Sequence, residues 1–85
     1  MERDMETIKK DVMCVFEQLE SESPIVFEWS KTNISEYRDA VNQTIMNCYR
    51  HQNEYDPFGE AVYVLHFFGC ILSDDIDFGN ESETV

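Results

Sequence analysis

Two cysteine–histidine pairs have the residue types that bind zinc. Cys48 and His51 are three positions apart, and His66 and Cys70 are four apart, so each pair can share one face of a helix. In the antiparallel hairpin that the loop between the pairs predicts, Cys70 lies roughly 13 Å along the axis from the position facing Cys48. Zinc ligands converge within about 2.3 Å of the metal. We therefore expect no metal site.

The sequence holds no recognisable catalytic motif. Its three glycines, Gly59, Gly69 and Gly79, are isolated and form no phosphate-binding loop. The aspartates after residue 73 lack the later glycine and glutamate of a calcium loop. His66 lies in an apolar run, which favours a hydrogen-bonded core or interface histidine over a general base. We predict a protein that is not an enzyme and uses no cofactor.

The acidity of the chain is its most informative property. It carries a net charge of −12 on 85 residues, yet 42% of those residues are hydrophobic. Such a chain repels nucleic acids and anionic membranes and attracts basic proteins. The acids are at the ends: residues 1–22 carry −4, residues 23–52 are neutral, residues 53–72 carry −3 and residues 73–85 carry −5. A basic protein partner is predicted; the alternative is that the charge only confers solubility.

The candidate contact residues are acids near predicted helix ends, with two aromatic residues. Glu17, Glu20 and Glu22 lie where the negative end of a helix dipole makes like charge unfavourable, which suggests a use in binding. Tyr55, between two acids in a loop, is a credible anchor; Phe58 is an anchor or a core residue. The predicted partner-binding residues are Glu17, Glu20, Glu22, Glu54, Tyr55, Asp56, Phe58, Asp74, Asp75 and Asp77.

The spacing of apolar residues by three and four predicts an all-α fold. We expect a small three-helix bundle in one domain, residues 1–72, with α+β as the runner-up. The predicted segments are helices at about 2–21, 34–52 and 57–72, a short extended connector at 25–29 and a mobile acidic tail at 73–85.

Local signals mark where these helices begin. Asn33 is expected to cap the second helix, with Ser35 as a competing cap. Asp56 followed by Pro57 is typical of a cap with proline at the first helical position. The connector is expected to place Phe27 and Trp29 on the core, with an exposed Trp29 anchor as the alternative.

The third predicted helix is apolar on nearly every side. The two other helices cannot cover all of it, so we predict that part of its surface is used in self-association or a partner contact, unless Trp29 and the connector cover the rest. Its residue types also favour strands. The expected homodimer contacts are Tyr63, Phe67, Phe68 and Ile71.

The cysteines and the absence of a leader suggest a cytoplasmic protein. Cys14, Cys48 and Cys70 have no C-x-x-C spacing and are expected to be reduced core thiols. The longest apolar run, residues 61–72, is shorter than the roughly 20 residues of a membrane-spanning helix. The chain begins without the apolar segment of a secretory signal.

The leading hypothesis is a small acidic inhibitor that binds and blocks the basic surface of a nucleic-acid-acting enzyme or a toxin. It has two forms: an immunity or antitoxin protein, and a DNA mimic whose carboxylates replace phosphates. As a class, such a chain resembles small helical bacteriocin immunity proteins and phage anti-defence proteins, without a shared motif. The alternatives are an oligomeric adaptor or scaffold that assembles through the third helix, and a small-ligand binder whose intersubunit pocket is lined by Tyr63, His66 and Phe67.

Overall fold

Four α-helices and one 3₁₀ turn make up the computed structural model, which describes residues 2–70. No strand occurs within that range, so the predicted all-α class is confirmed. The elements are α1 (Met5–Glu22), α2 (Pro24–Thr32), α3 (Ile34–Arg50), a 3₁₀ turn (Gln52–Glu54) and α4 (Pro57–Phe67).

The extended connector predicted at 25–29 is wrong, because this segment lies inside the helix α2. Ser23 is fully buried, and its side-chain oxygen accepts a hydrogen bond from the Val26 N–H at 3.2 Å. Pro24 occupies the first turn of α2, where its fixed φ favours helix and its missing N–H costs nothing. The bundle therefore has four helices within residues 2–70 and not the three that were expected.

The other helix ends agree with the prediction in part. Asp56 accepts a hydrogen bond from the Gly59 N–H at 3.1 Å and Pro57 begins α4, as expected. Asn33 does precede α3, but its side chain forms no capping hydrogen bond to that helix. Its side-chain amide instead donates a hydrogen bond of 3.2 Å to the Trp29 carbonyl in the last turn of α2.

The third predicted helix ends earlier than residue 72, because Gly69 terminates it. Gly69 has a φ of +96°, and its N–H bonds to the His66 carbonyl while the Cys70 N–H bonds to the Leu65 carbonyl. This pair of bonds is the Schellman arrangement, in which glycine takes the left-handed conformation without a steric cost. The predicted tail at 73–85 lies outside the described residues.

One face of α1 forms the centre of the hydrophobic core. Ile8, Val12, Phe16 and Leu19 follow the predicted spacing and are buried. Helices α2, α3 and α4 all pack against α1. Trp29 is partly buried and packs against the core, in line with the favoured expectation for this residue. The other buried apolar residues are Val26, Ala40, Ile45, Cys48, Ala61, Val64, Leu65 and Cys70.

Helices α3 and α4 form a close pair. The Asn47 side-chain amide donates to Glu60 at 2.8 Å, which is the register of an antiparallel hairpin that turns near residue 54. Within residues 2–70, no helix has both the length and the apolar character needed to cross a membrane.

Candidate functional site

An open groove lies at the corner where α1 ends and α2 begins. Because a single residue, Ser23, separates the two helices, their adjoining ends are held side by side. We call this surface the acidic groove. It is lined by Glu17, Glu20, Ser21, Glu22, Pro24 and Phe27.

Three carboxylates of the acidic groove lie at an unfavourable place on α1. The last turn of α1 contains no basic residue, while its unpaired carbonyls concentrate partial negative charge there. Glu17 and Glu22 are exposed and Glu20 is half-buried. The structure thus brings together three of the predicted contact residues at one corner of the bundle.

The wall of the groove is held in place by Tyr37. Its hydroxyl donates a hydrogen bond to the Glu20 carboxylate, and its ring packs edge-on against Phe16 with the centroids 5.7 Å apart. Burial, then the hydrogen bond to Glu20 and the nearby negative charges, raises the pKa of Tyr37 above its ordinary value. Tyr37 therefore remains protonated at neutral pH, and Glu20 is oriented before any partner arrives.

The groove also has an apolar floor, which the sequence did not reveal. Phe27, expected on the core, is 42% exposed, because the helical form of α2 turns Val26 inward in its place. The Lys31 ammonium lies 4.7 Å from the centre of the Phe27 ring, so this ring already accepts a cation. The Ser23 cap followed by Pro24 was the local signal that could have revealed this helix.

Tyr55 is tied into the fold by both its hydroxyl and its ring. The hydroxyl donates to Asp11 at 2.5 Å, and the Arg3 guanidinium lies 3.8 Å from the ring centre. Burial, followed by the hydrogen bond and charge of Asp11, raises the pKa of Tyr55. These contacts join the start of the chain to the turn before α4; the partner role of Tyr55 stays a prediction.

The remaining predicted contacts lie elsewhere. Glu54 is exposed in the 3₁₀ turn, Asp56 is occupied as the cap of α4, and Phe58 is half-buried against the core. They adjoin Tyr55 but do not line the acidic groove. Asp74, Asp75 and Asp77 lie outside the described residues.

The zinc-type pairs do not form a cluster. Cys48 and Cys70 are buried, whereas His51 and His66 are exposed. The predicted core position of His66 is therefore wrong, and its alternative position in an interface stays a prediction. Within residues 2–70, no three side chains of histidine, cysteine, aspartate or glutamate are placed to hold a metal ion. The separate groove that contains Tyr63 and Phe67 is not lined by His66.

The cysteines differ in exposure, and Cys14 is not the core thiol expected from the sequence. It is exposed because α1 turns Val12 and Phe16, not position 14, toward the core. Burial raises the pKa of both the Cys48 and the Cys70 thiol to about 11, and carboxylates near Cys48 add to its shift.

We expect Cys14 alone to react rapidly with iodoacetamide in the folded protein at about pH 8. A thiol whose pKa is raised to about 11 carries roughly 100-fold less thiolate at this pH than an ordinary thiol, and burial of Cys48 and Cys70 hinders the reagent further. Mass spectrometry of labelled peptides measures the three rates, and labelling in about 6 M guanidinium is the control that should make them similar. Rapid labelling of Cys48 or Cys70 without denaturant contradicts this prediction.

None of the protein-family models, curated proteins or solved structures with which the chain was compared matches it.

Proposed function

We propose that the protein is a small acidic inhibitor that binds and blocks a basic surface of another protein through the acidic groove. The observation that supports this function is the placement of Glu17, Glu20 and Glu22 around the exposed ring of Phe27. The carboxylates lie at the negative end of α1, where their like charge is unfavourable. A basic partner removes that repulsion and is attracted by the same charges.

The groove suits lysine and arginine side chains. Each has an apolar stem and a cationic head, so the stem can cover Pro24 and Phe27 while the head reaches a carboxylate of α1. Arginine is favoured, because its planar head bonds carboxylates in pairs and stacks on aromatic rings. The oriented Glu20 lowers the entropy lost on binding.

A nucleic-acid-acting enzyme or a toxin is the proposed class of target. Such proteins carry clusters of lysine and arginine that neutralise phosphates, and an acidic protein bound there excludes the nucleic acid. A DNA mimic needs carboxylates ranged along a face, whereas the acidic groove concentrates three at one corner. This favours the immunity or antitoxin form, directed at one partner.

Capture from a lysate of the source cells at two salt concentrations tests the proposed function. At about 0.1 M NaCl the tagged protein is expected to retain a basic nucleic-acid-acting protein and to release it at about 0.5 M, because salt screens the attraction. Added in equimolar amount, the protein is expected to inhibit the purified target. Retained proteins that are indifferent to salt, or a basic target that stays active, would contradict the proposal.

A further inference from the structure

A second open groove lies between α2 and the residues that follow α4. Ile25 is 38% exposed in it, and Trp29 is only partly buried, so the described helices leave both side chains partly uncovered. Glu28 is charged and exposed. We call this surface the tryptophan groove. It is lined by Pro24, Ile25, Glu28, Trp29, Thr32, Gly69 and Cys70.

The last two described residues belong to the lining of this groove. Gly69 ends α4 in the left-handed conformation, and the Cys70 N–H bonds to the Leu65 carbonyl at 2.9 Å, so the backbone turns away from the axis of α4 here. Cys70 is 1% exposed, which holds the backbone against the bundle. The chain therefore continues from a residue that is itself part of the tryptophan groove.

The next two residues of the sequence are apolar. Ile71 and Leu72 follow Cys70 directly, and a span of two residues reaches at most about 7 Å. A serine and two aspartates come after them, so this apolar pair ends at Leu72. Covalent connection alone therefore keeps two large apolar side chains close to the partly uncovered Ile25 and Trp29.

The sequence grouped Ile71 with three aromatic residues of α4 as homodimer contacts. Tyr63 is 66% exposed and Phe67 is 77% exposed on a groove shared with α3, whereas Phe68 packs partly against the core and Ile71 lies outside the described residues. Cys70, to which Ile71 is bonded, lines the groove shared with α2 instead. The homodimer contacts stay a prediction for Tyr63 and Phe67, and the position of Cys70 favours the tryptophan groove for Ile71.

We propose that Ile71 and Leu72 cover the tryptophan groove of their own chain. The covalent connection identifies the occupant, because a segment joined by a short linker has an effective concentration of the order of millimolar. Such a segment also loses no translational freedom on docking, so it needs far less area than a separate molecule. The Glu28 carboxylate repels Asp74 and Asp75, which keeps these acids out of the groove while the apolar pair occupies it.

Nuclear Overhauser contacts in the full, unmodified chain test this inference. Because the chain has one tryptophan, its indole protons are an unambiguous probe of this groove. We expect contacts from the Trp29 ring to the methyl groups of Ile71 and Leu72, unchanged between about 50 and 500 µM protein. Absence of these contacts would overturn the inference. Contacts that arise only between labelled and unlabelled copies would also overturn it and identify a second chain as the cover.

Trp29 fluorescence provides a second measurement. The double variant Ile71→Ser, Leu72→Ser should weaken docking about 100-fold, since each apolar side chain is worth roughly tenfold, so Trp29 emission moves to longer wavelength and acrylamide quenches it more readily. Ile76→Ser with Phe78→Ser is the matched control and should leave both readings unchanged. Equal effects of the two double variants would overturn the inference. If the first variant proves unfolded by circular dichroism, the contacts in the unmodified chain decide.

Discussion

Replacing Phe16 with alanine is expected to lower the free energy of unfolding by about 3–5 kcal/mol. Phe16 is 1% exposed in the central face of α1, so the variant loses the transfer free energy of the ring and leaves a cavity that the rigid helices fill only partly. The edge-on contact with Tyr37 is lost as well. A domain of this size has about 4–13 kcal/mol of stability in total, so the loss removes at least about a quarter of it.

Urea denaturation followed by circular dichroism and by the fluorescence of Trp29 measures this loss. Met13→Ala is the matched control, because Met13 is exposed on the same helix and its truncation should change stability by less than about 0.5 kcal/mol. A loss below about 1.5 kcal/mol for Phe16→Ala would show that the site collapses around the cavity and that α1 is not the centre of the core.

Converting Glu17, Glu20 and Glu22 together to glutamine is expected to weaken binding of the captured basic partner about 100-fold. The change removes three charges at the acidic groove while keeping the size of each side chain, and the new amide oxygen at position 20 can still accept the Tyr37 hydrogen bond. Most of the loss should appear as slower association, because steering depends on the field of exposed charges. The difference from the unmodified protein should shrink in about 0.5 M NaCl.

A second triple variant separates position from total charge. Glu2→Gln, Glu36→Gln and Asp39→Asn change the net charge by the same amount at exposed sites that do not line the acidic groove. We expect this variant to bind within about 3-fold of the unmodified protein. Surface-plasmon kinetics at two salt concentrations compares the two. Equal losses in both variants would mean that the partner responds to net charge and not to the acidic groove.

The helical class and the starts of α3 and α4 could be predicted from the sequence because their causes are local. The spacing of Ile8, Val12, Phe16 and Leu19 defines an apolar stripe whatever lies against it, and the stripe is buried as expected. The start of α4 likewise depends on a cap that spans only residues 56–59. The prediction for 25–29 is wrong because its β-branched and aromatic residues favour strands, whereas the side chain that caps the helix lies outside the segment, at Ser23.

For the candidate site, the net charge was enough to predict an acidic surface, and the helical spacing was enough to place three glutamates near the end of α1. Neither the net charge nor the spacing depends on neighbouring elements. The surroundings of those glutamates follow from tertiary packing instead. The turn at Ser23 brings Phe27 beside them, and packing on the core turns Val26 inward and leaves Cys14, Tyr63 and Phe67 exposed. Exposure is set by which helix covers which face, and that depends on contacts between residues far apart in the chain.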